Sequence, residues 1–217
     1  MSELYIFIGP PGSGKGTQAE LICAKLELTH FDMGKTLRNI AAEGGELGER
    51  IRFFTDKGEL VPIEVIKEVI NHFFKNIHGI VVLDGFPRSL EQTFVLDEII
   101  HTSDHLLKAV VLFDVDKALL RERIVYRRVC PETGKIFNLK FSRPEDIYMH
   151  ERLCGVLVQR DDDTEAVFNH RYQVYQETTK PIIDFYRTNA EVISIDASRT
   201  VEEIQQDLET LITAQGE

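Results

Sequence analysis

The sequence predicts an α/β fold built on a mainly parallel sheet, and three observations carry that expectation. Short, continuous apolar runs recur along the chain, stretches with helical spacing separate them, and a glycine-rich loop joins the first run to the first helix. The 217 residues, 43% hydrophobic and 28% charged, suit one globular domain whose core needs no disulfide or metal as a staple. Disordered, collagen-like and fibrous classes are excluded by the same composition.

Leu4-Tyr5-Ile6-Phe7-Ile8 reads as a buried strand, rich in β-branched and aromatic residues and lacking the alternation of a half-exposed sheet. It is too short for a signal-peptide core or a membrane span, and no basic segment precedes it, so a cytoplasmic protein is expected. Leu21, Ile22 and Leu26, then Val65, Ile66, Val69 and Ile70, recur at helical spacing. Residues 80–84 and 109–113 read as further buried strands, and 192–195 as a shorter one. Phe168, Tyr172, Tyr175 and Ile182 predict one long helix. From about Val129 to Gln159 no helical pattern is visible. Pro131, Gly134, Pro144 and Gly155 punctuate that stretch, and Ile136, Phe137, Leu139 and Phe141 nearly alternate, so a small β-rich flap is expected. Arg127, Arg128 and Arg160 border it.

The net charge of −11 should repel nucleic acid, so any anionic substrate must be held by a local concentration of positive charge. Three widely spaced cysteines, Cys23, Cys130 and Cys154, do not form a secreted disulfide scaffold. Cys23 falls on an apolar helix face and reads as a core thiol. His30, His72, His78, His101, His105 and His170 have no partner spacing that points to catalysis.

The strongest motif is Gly9-Pro10-Pro11-Gly12-Ser13-Gly14-Lys15-Gly16-Thr17, between a strand and a helix. Its glycines let backbone N–H groups turn inward, the helix N-terminus completes a concave anion site, and Lys15 adds a full charge near the outer phosphates. The expected core is therefore a three-layer sheet of the P-loop nucleotide-binding type. The hydroxyl that usually follows the lysine is replaced by Gly16, with Thr17 one later, which shifts more of a metal's shell to water. Asp84 ends a strand, where a carboxylate faces the ligand crevice and can hold Mg2+ or its waters. Gly85-Phe86-Pro87-Arg88 follows and presents Arg88 at the same crevice. Arg38, Arg123, Arg127, Arg160, Arg171 and Arg199 are further phosphate candidates, because guanidinium forks match phosphate oxygens. Arg123 and Arg127, four apart, are expected on one helix face, gripping one anion.

These residues make the chain resemble the adenylate kinases, within the nucleoside monophosphate kinases, from about residue 4 to 210. The carrying stretches are GPPGSGKGTQAE at 9–20, GELV at 58–61, LDGFPRSLEQ at 83–92, RIVYRR at 123–128 and QRDDD at 159–163. The resemblance implies transfer of a phosphoryl group from MgATP to AMP, giving two ADP, by a monomer that binds neither nucleic acid nor membrane. Gly12, Ser13, Gly14, Lys15, Gly16 and Thr17 would wrap the ATP phosphates. Arg38 and Arg88 would hold the AMP phosphate, and Gln92 its base. Glu59, Leu60 and Val61, with Gly85, Phe86 and Pro87, would line the acceptor pocket. Arg123, Arg127, Arg160 and Arg171 would surround the group in transit, Asp162 and Asp163 would secure the closed lid, and Ile136, Phe137 and Arg199 would lie near the donor base and ribose. The implied division is a core of 1–31, 63–126 and 161–217, a helical acceptor-binding segment of 32–62, and a lid of 127–160.

Two departures stand out. Met33 occupies the position of a threonine that helps read adenine, and a thioether cannot donate a hydrogen bond, which leaves UMP, CMP and GMP open as acceptors. In the lid, many relatives hold zinc with four cysteines or three and an aspartate. Here Thr133 stands where the second sulfur would be, and Cys130, His150 and Cys154 supply only three donors, so a metal-free, hydrogen-bonded lid is favoured. A GTPase-type switch would need a guanine-reading Asn-Lys-x-Asp loop, which the sequence lacks.

Overall fold

A computed structural model describes residues 2–75 and 77–214. In order the elements are β1 (Ser2–Ile8), α1 (Lys15–Leu26), β2 (Thr29–Asp32), α2 (Met33–Glu43), α3 (Gly45–Thr55), α4 (Ile63–Phe74), β3 (Gly79–Asp84), α5 (Leu90–Thr102), β4 (His105–Asp114), α6 (Lys117–Val125), β5 (Arg127–Val129), β6 (Ile136–Asn138), α7 (Pro144–Cys154), α8 (Glu165–Val174), a π turn (Tyr175–Thr179), α9 (Lys180–Asn189), β7 (Val192–Asp196) and α10 (Val201–Ala214).

Five strands form a parallel sheet in the order β2-β3-β1-β4-β7. Side chains of β1 alternate between its faces. Leu4, Ile6 and Ile8 pack with Met33, Ile51, Ile66, Ile70 and Ile182 on one side. Tyr5 and Phe7 pack with Ile22, Cys23, Ile204 and Leu208 on the other. Both faces are thus covered, which is why these strands read as unbroken apolar runs, and the result is the expected three-layer α/β sandwich. β1 is central, flanked by β3 and β4, so the chain leaves its C-terminal end at the crevice where a parallel sheet binds ligands. Among the described residues, no helix is long and apolar enough to cross a membrane.

Four expectations are corrected. Thr29–Asp32 is a strand the periodicity did not reveal, because only Phe31 of its four residues is buried. The flap contains an eleven-residue helix, α7, beside the antiparallel pair β5–β6. None of the residues of α7 is buried, so it has no apolar stripe to read. The helix from Phe168 onward is interrupted by the π turn, with Pro181 just beyond it. Finally, α6 ends at Val125 and Arg127 opens β5, so Arg123 and Arg127 do not share a helix face.

Candidate functional site

Gly14, at φ 89°, is the N-cap of α1, and the helix begins at Lys15 with no acidic residue in its first turn. The positive end of that helix is left to an incoming anion. The Ser13 hydroxyl is buried in the loop without a hydrogen-bond partner. Gly16 faces Asp84: a Cβ on residue 16 would lie 2.9 Å from Asp84 Oδ2. This close approach gives the unusual Gly16 a physical reason, since any side chain there would displace the buried carboxylate. Beside it His30 Nε2 lies 3.8 Å from Asp84 Oδ2 and is itself buried without a hydrogen bond. Asp32 pairs in register with Asp84 across β2 and β3, and its Oδ1 accepts from the Lys35 N–H at 2.8 Å. Neither His30 nor Asp32 stood out in the sequence; the undetected strand β2 is what brings both to the crevice.

Gly85 has φ +73°, and a Cβ there would meet the Arg88 guanidinium at 2.5 Å. The glycine lets Arg88 fold back and donate from Nε to the Gly85 carbonyl at 2.7 Å. Ser89 caps α5 by accepting from the Gln92 N–H, while the Gln92 amide oxygen accepts from the Arg88 N–H at 2.8 Å. Gln92 is thereby fixed with its NH2 turned away from that bond. The Thr179 hydroxyl, from the π turn, donates to the Arg88 carbonyl at 2.8 Å. Phe86 is fully buried in the core and lines neither cavity, whereas its neighbours Gly85 and Arg88 line both.

Two cavities meet here. One, beside the phosphate loop, is lined by Gly9, Pro11, Lys15, Pro87 and Tyr175. The other, about 590 Å3, is lined by Met33, Arg38, Val61, Gln92, Arg160 and Asp162. Gly58, Glu59, Leu60, Gly85, Arg88 and Arg171 line both and form the passage between them.

The electrostatics of this passage are those of an anion site. Burial pulls Lys15 down to about 8, against the upward pull of Asp84. Burial likewise lowers Arg171 to about 10, with Asp162 opposing, and lowers Arg88 with Asp84 opposing. Burial and the neighbouring charges of Arg127 and Arg38 lower Arg160. Cations held together in a partly buried cleft favour a polyanion between them.

The lid-border residues are placed differently. Arg123 donates to the carbonyls of Ser13, at 3.3 Å, and Ala197, at 2.9 Å, tying α6 to the phosphate loop. Arg127 makes a two-pronged bond to fully buried Asp163, its Nε lying 2.8 Å from Oδ2. Arg171 pairs with Asp162 at 2.7 Å. Arg199 is at the surface, bonded to Asp207 and to the Asp196 carbonyl, and lines neither cavity. Phe137 is buried in a small lid core with Cys130 and Leu157, whereas Ile136 is exposed.

Asp84 suits Mg2+: it is a buried carboxylate at a strand end, beside Lys15 and with no hydrogen bond of its own among the described residues. In the lid, donor atoms of Cys130, His150 and Cys154 lie within 4.8 Å of one another. Among the described residues that group offers three side-chain donors, one fewer than a closed structural zinc site takes.

The adenylate kinase family model matches residues 7–191. The chain is 38% identical to the adenylate kinase of Petrotoga mobilis over 204 residues, 94% of each chain. It is 35% identical to that of Archaeoglobus fulgidus over 209 residues, covering 95% of this chain and 96% of the relative. It is 36% identical to that of Thermotoga neapolitana over 215 residues, 98% of each.

Proposed function

The chain belongs to the adenylate kinase family, and on that premise we propose how its own residues carry the family's reaction. The activity is reversible transfer of the terminal phosphoryl group of ATP to AMP, giving two ADP; an acceptor other than AMP is not favoured. The observation that carries the residue-level reading is that Arg88 and Arg171 line both cavities. A phosphoryl group passing from one nucleotide to the other crosses between them.

In this reading the loop from Gly12 to Thr17 wraps the donor phosphates with its N–H groups. Lys15 sits against the outer ones. Arg38 and Arg88 hold the acceptor phosphate, and the free NH2 of Gln92 reads its base. Asp84 would hold Mg2+, which would supply positive charge to the donor phosphates. The acceptor phosphate oxygen attacks the terminal phosphorus. The new P–O bond forms as the bond to the bridging oxygen breaks, and ADP leaves. The nucleophile is already an anion, so no general base is needed. Alignment and charge neutralisation by Lys15, Arg88, Arg160 and Arg171 supply the acceleration. Arg123 and Arg127 act as positioning residues, through the phosphate loop and through Asp163. Residues 32–62 form the acceptor-binding segment, and 127–160 form a lid that closes over the nucleotides and excludes competing water. Ile136 and the backbone of Phe137 approach the donor base on closure, with Arg199 at its rim. We assign the enzyme to the cytoplasm, as a monomer, where its nucleotides are free solutes.

Calorimetry with a bisubstrate dinucleotide polyphosphate tests the reading. The expected result is one tight site that Arg88→Ala weakens strongly. Failure of the wild-type protein to bind the compound would refute the reading, and so would an Arg88→Ala variant that binds undiminished. A rate panel over AMP, UMP, CMP and GMP should give AMP as the best acceptor.

A further inference from the structure

The lid holds a pair of thiols that phosphoryl transfer does not use. Cys130 directly follows β5 and is fully buried, while Cys154 is the last residue of α7 and is partly exposed. Their sulfurs and a ring nitrogen of His150 lie within 4.8 Å of one another. The backbone N–H of Thr133 donates to Cys130 Sγ at 3.4 Å. Cys23, the third cysteine, is buried across the molecule in the core beside α10.

We propose that Cys130 and Cys154 form a redox pair that hydrogen peroxide closes into a disulfide, tying the end of α7 to the β5–β6 hairpin. The two sulfurs have different surroundings, and this assigns their roles. Hydrogen bonding from Thr133 brings the Cys130 thiol down to about 6, so it is the one carrying the nucleophilic thiolate. Burial first, and then the neighbouring Cys130 charge, raise Cys154, which stays a thiol until the second step.

The Cys130 thiolate attacks one oxygen of the peroxide. The S–O bond forms, the O–O bond breaks, and the departing hydroxide takes a proton to become water. The Cys154 sulfur then attacks the sulfenic sulfur. The S–S bond forms, the S–O bond breaks, and a second water leaves with the Cys154 proton. Two thiols lose two electrons, and one peroxide is reduced to two waters.

Access and approach both depend on α7. It buries none of its residues, and Leu153 and Val156 on either side of Cys154 are 77% and 76% exposed. So loosely held a helix can lift to admit a small oxidant and then shift to let the sulfurs reach bonding distance. The closed loop would enclose Ile136 and Phe137 and leave Arg127 and Arg160 outside it. The disulfide therefore stiffens the tip of the lid without touching the arginines at its base.

The test is peroxide treatment of the full-length protein, followed by thiol titration in denaturant and peptide mapping without reductant. Two of the three thiols should disappear, the peptides bearing Cys130 and Cys154 should be joined, Cys23 should stay free, and dithiothreitol should restore the original state. In Cys154→Ser a sulfenic acid on Cys130 should be trapped by dimedone with no joined peptides; Cys130→Ser should give neither product. Amide exchange across 136–153 should slow several-fold in the oxidised wild type. The proposal is overturned if wild-type Cys130 and Cys154 remain unlinked after peroxide, if the links join separate chains, or if exchange in the lid is unchanged by the bond.

Discussion

The central sheet and the lid are built to opposite standards. In β1 six of seven residues are buried, and their side chains serve two separate apolar clusters, one on each face. The lid rests on Cys130, Phe137 and Leu157, and its helix contributes no buried residue. The sheet anchors the phosphate loop and Asp84 at the ends of the neighbouring strands β1 and β3. In the proposed reading the second region is a lid that closes and opens, and a small core would keep the cost of that motion low.

The sharpest way to break this comparison is a pair of matched truncations. Phe113→Ala, in the fully buried cluster behind β4, should cost about 3–5 kcal/mol of unfolding free energy. Phe137→Ala, in the lid core, should shift the global denaturant midpoint by less than about 1 kcal/mol, because it empties a unit that opens separately. The lid variant should instead raise the Michaelis constant for ATP and speed amide exchange across residues 127–160. Equal destabilisation by the two would erase the distinction.

Next in size is Lys15→Met. Loss of a buried charge aimed at the transferring group should lower kcat by about 10²–10³-fold. The melting temperature should hold or rise, because burial already disfavours the ammonium in the empty site. A large drop in melting temperature would show that Lys15 supports the fold rather than the chemistry.

A smaller effect follows from its titration. The folded Lys15 sits at about 8, below the usual 10.5. The charged lysine therefore destabilises the empty fold at neutral pH, and that penalty fades as pH rises from about 8 toward 10.5. Nucleotide phosphates favour the ammonium and raise it again. ATP binding should then take up a proton, and its affinity should fall by up to about tenfold per pH unit above 8. Calorimetry in buffers of different ionisation enthalpy measures the uptake directly; pH-independent affinity between 8 and 10 would contradict it.

The smallest effect is expected from Met33→Thr. Met33 lines the acceptor cavity and is 3% exposed. A hydroxyl there restores one donor, which is worth about 0.5–1.5 kcal/mol, or roughly two- to thirteenfold in the Michaelis constant for AMP. UMP should gain nothing, and a gain shared by both acceptors would mean that the residue does not read the base.

The same contrast explains what the sequence made legible. The runs at 4–8, 80–84 and 109–113 announced themselves because both faces of the sheet are covered. The phosphate loop was legible because backbone geometry dictates its glycines. The helix in the lid was not, because a helix with nothing buried leaves no periodicity. Strand β2 was not, because Thr29, His30 and Asp32 are only partly buried, and with it went the placement of His30 and Asp32 beside Asp84. Arg127 read as a helix residue because spacing alone cannot show that α6 has already ended. The double cavity, and the sharing of Arg88 and Arg171 between its halves, belongs to the tertiary assembly and has no local signature.

The π turn at Tyr175–Thr179 amounts to one surplus residue wound into an otherwise continuous rod. It sets the phase of everything after it. Excising a single residue there would rotate α9 by about 100°, carry Ile182 and Ile183 off the sheet, and pull the Thr179 hydroxyl from the Arg88 carbonyl. One added residue thereby couples the packing of the C-terminal fifth of the chain to the seat of Arg88, ninety-one positions upstream.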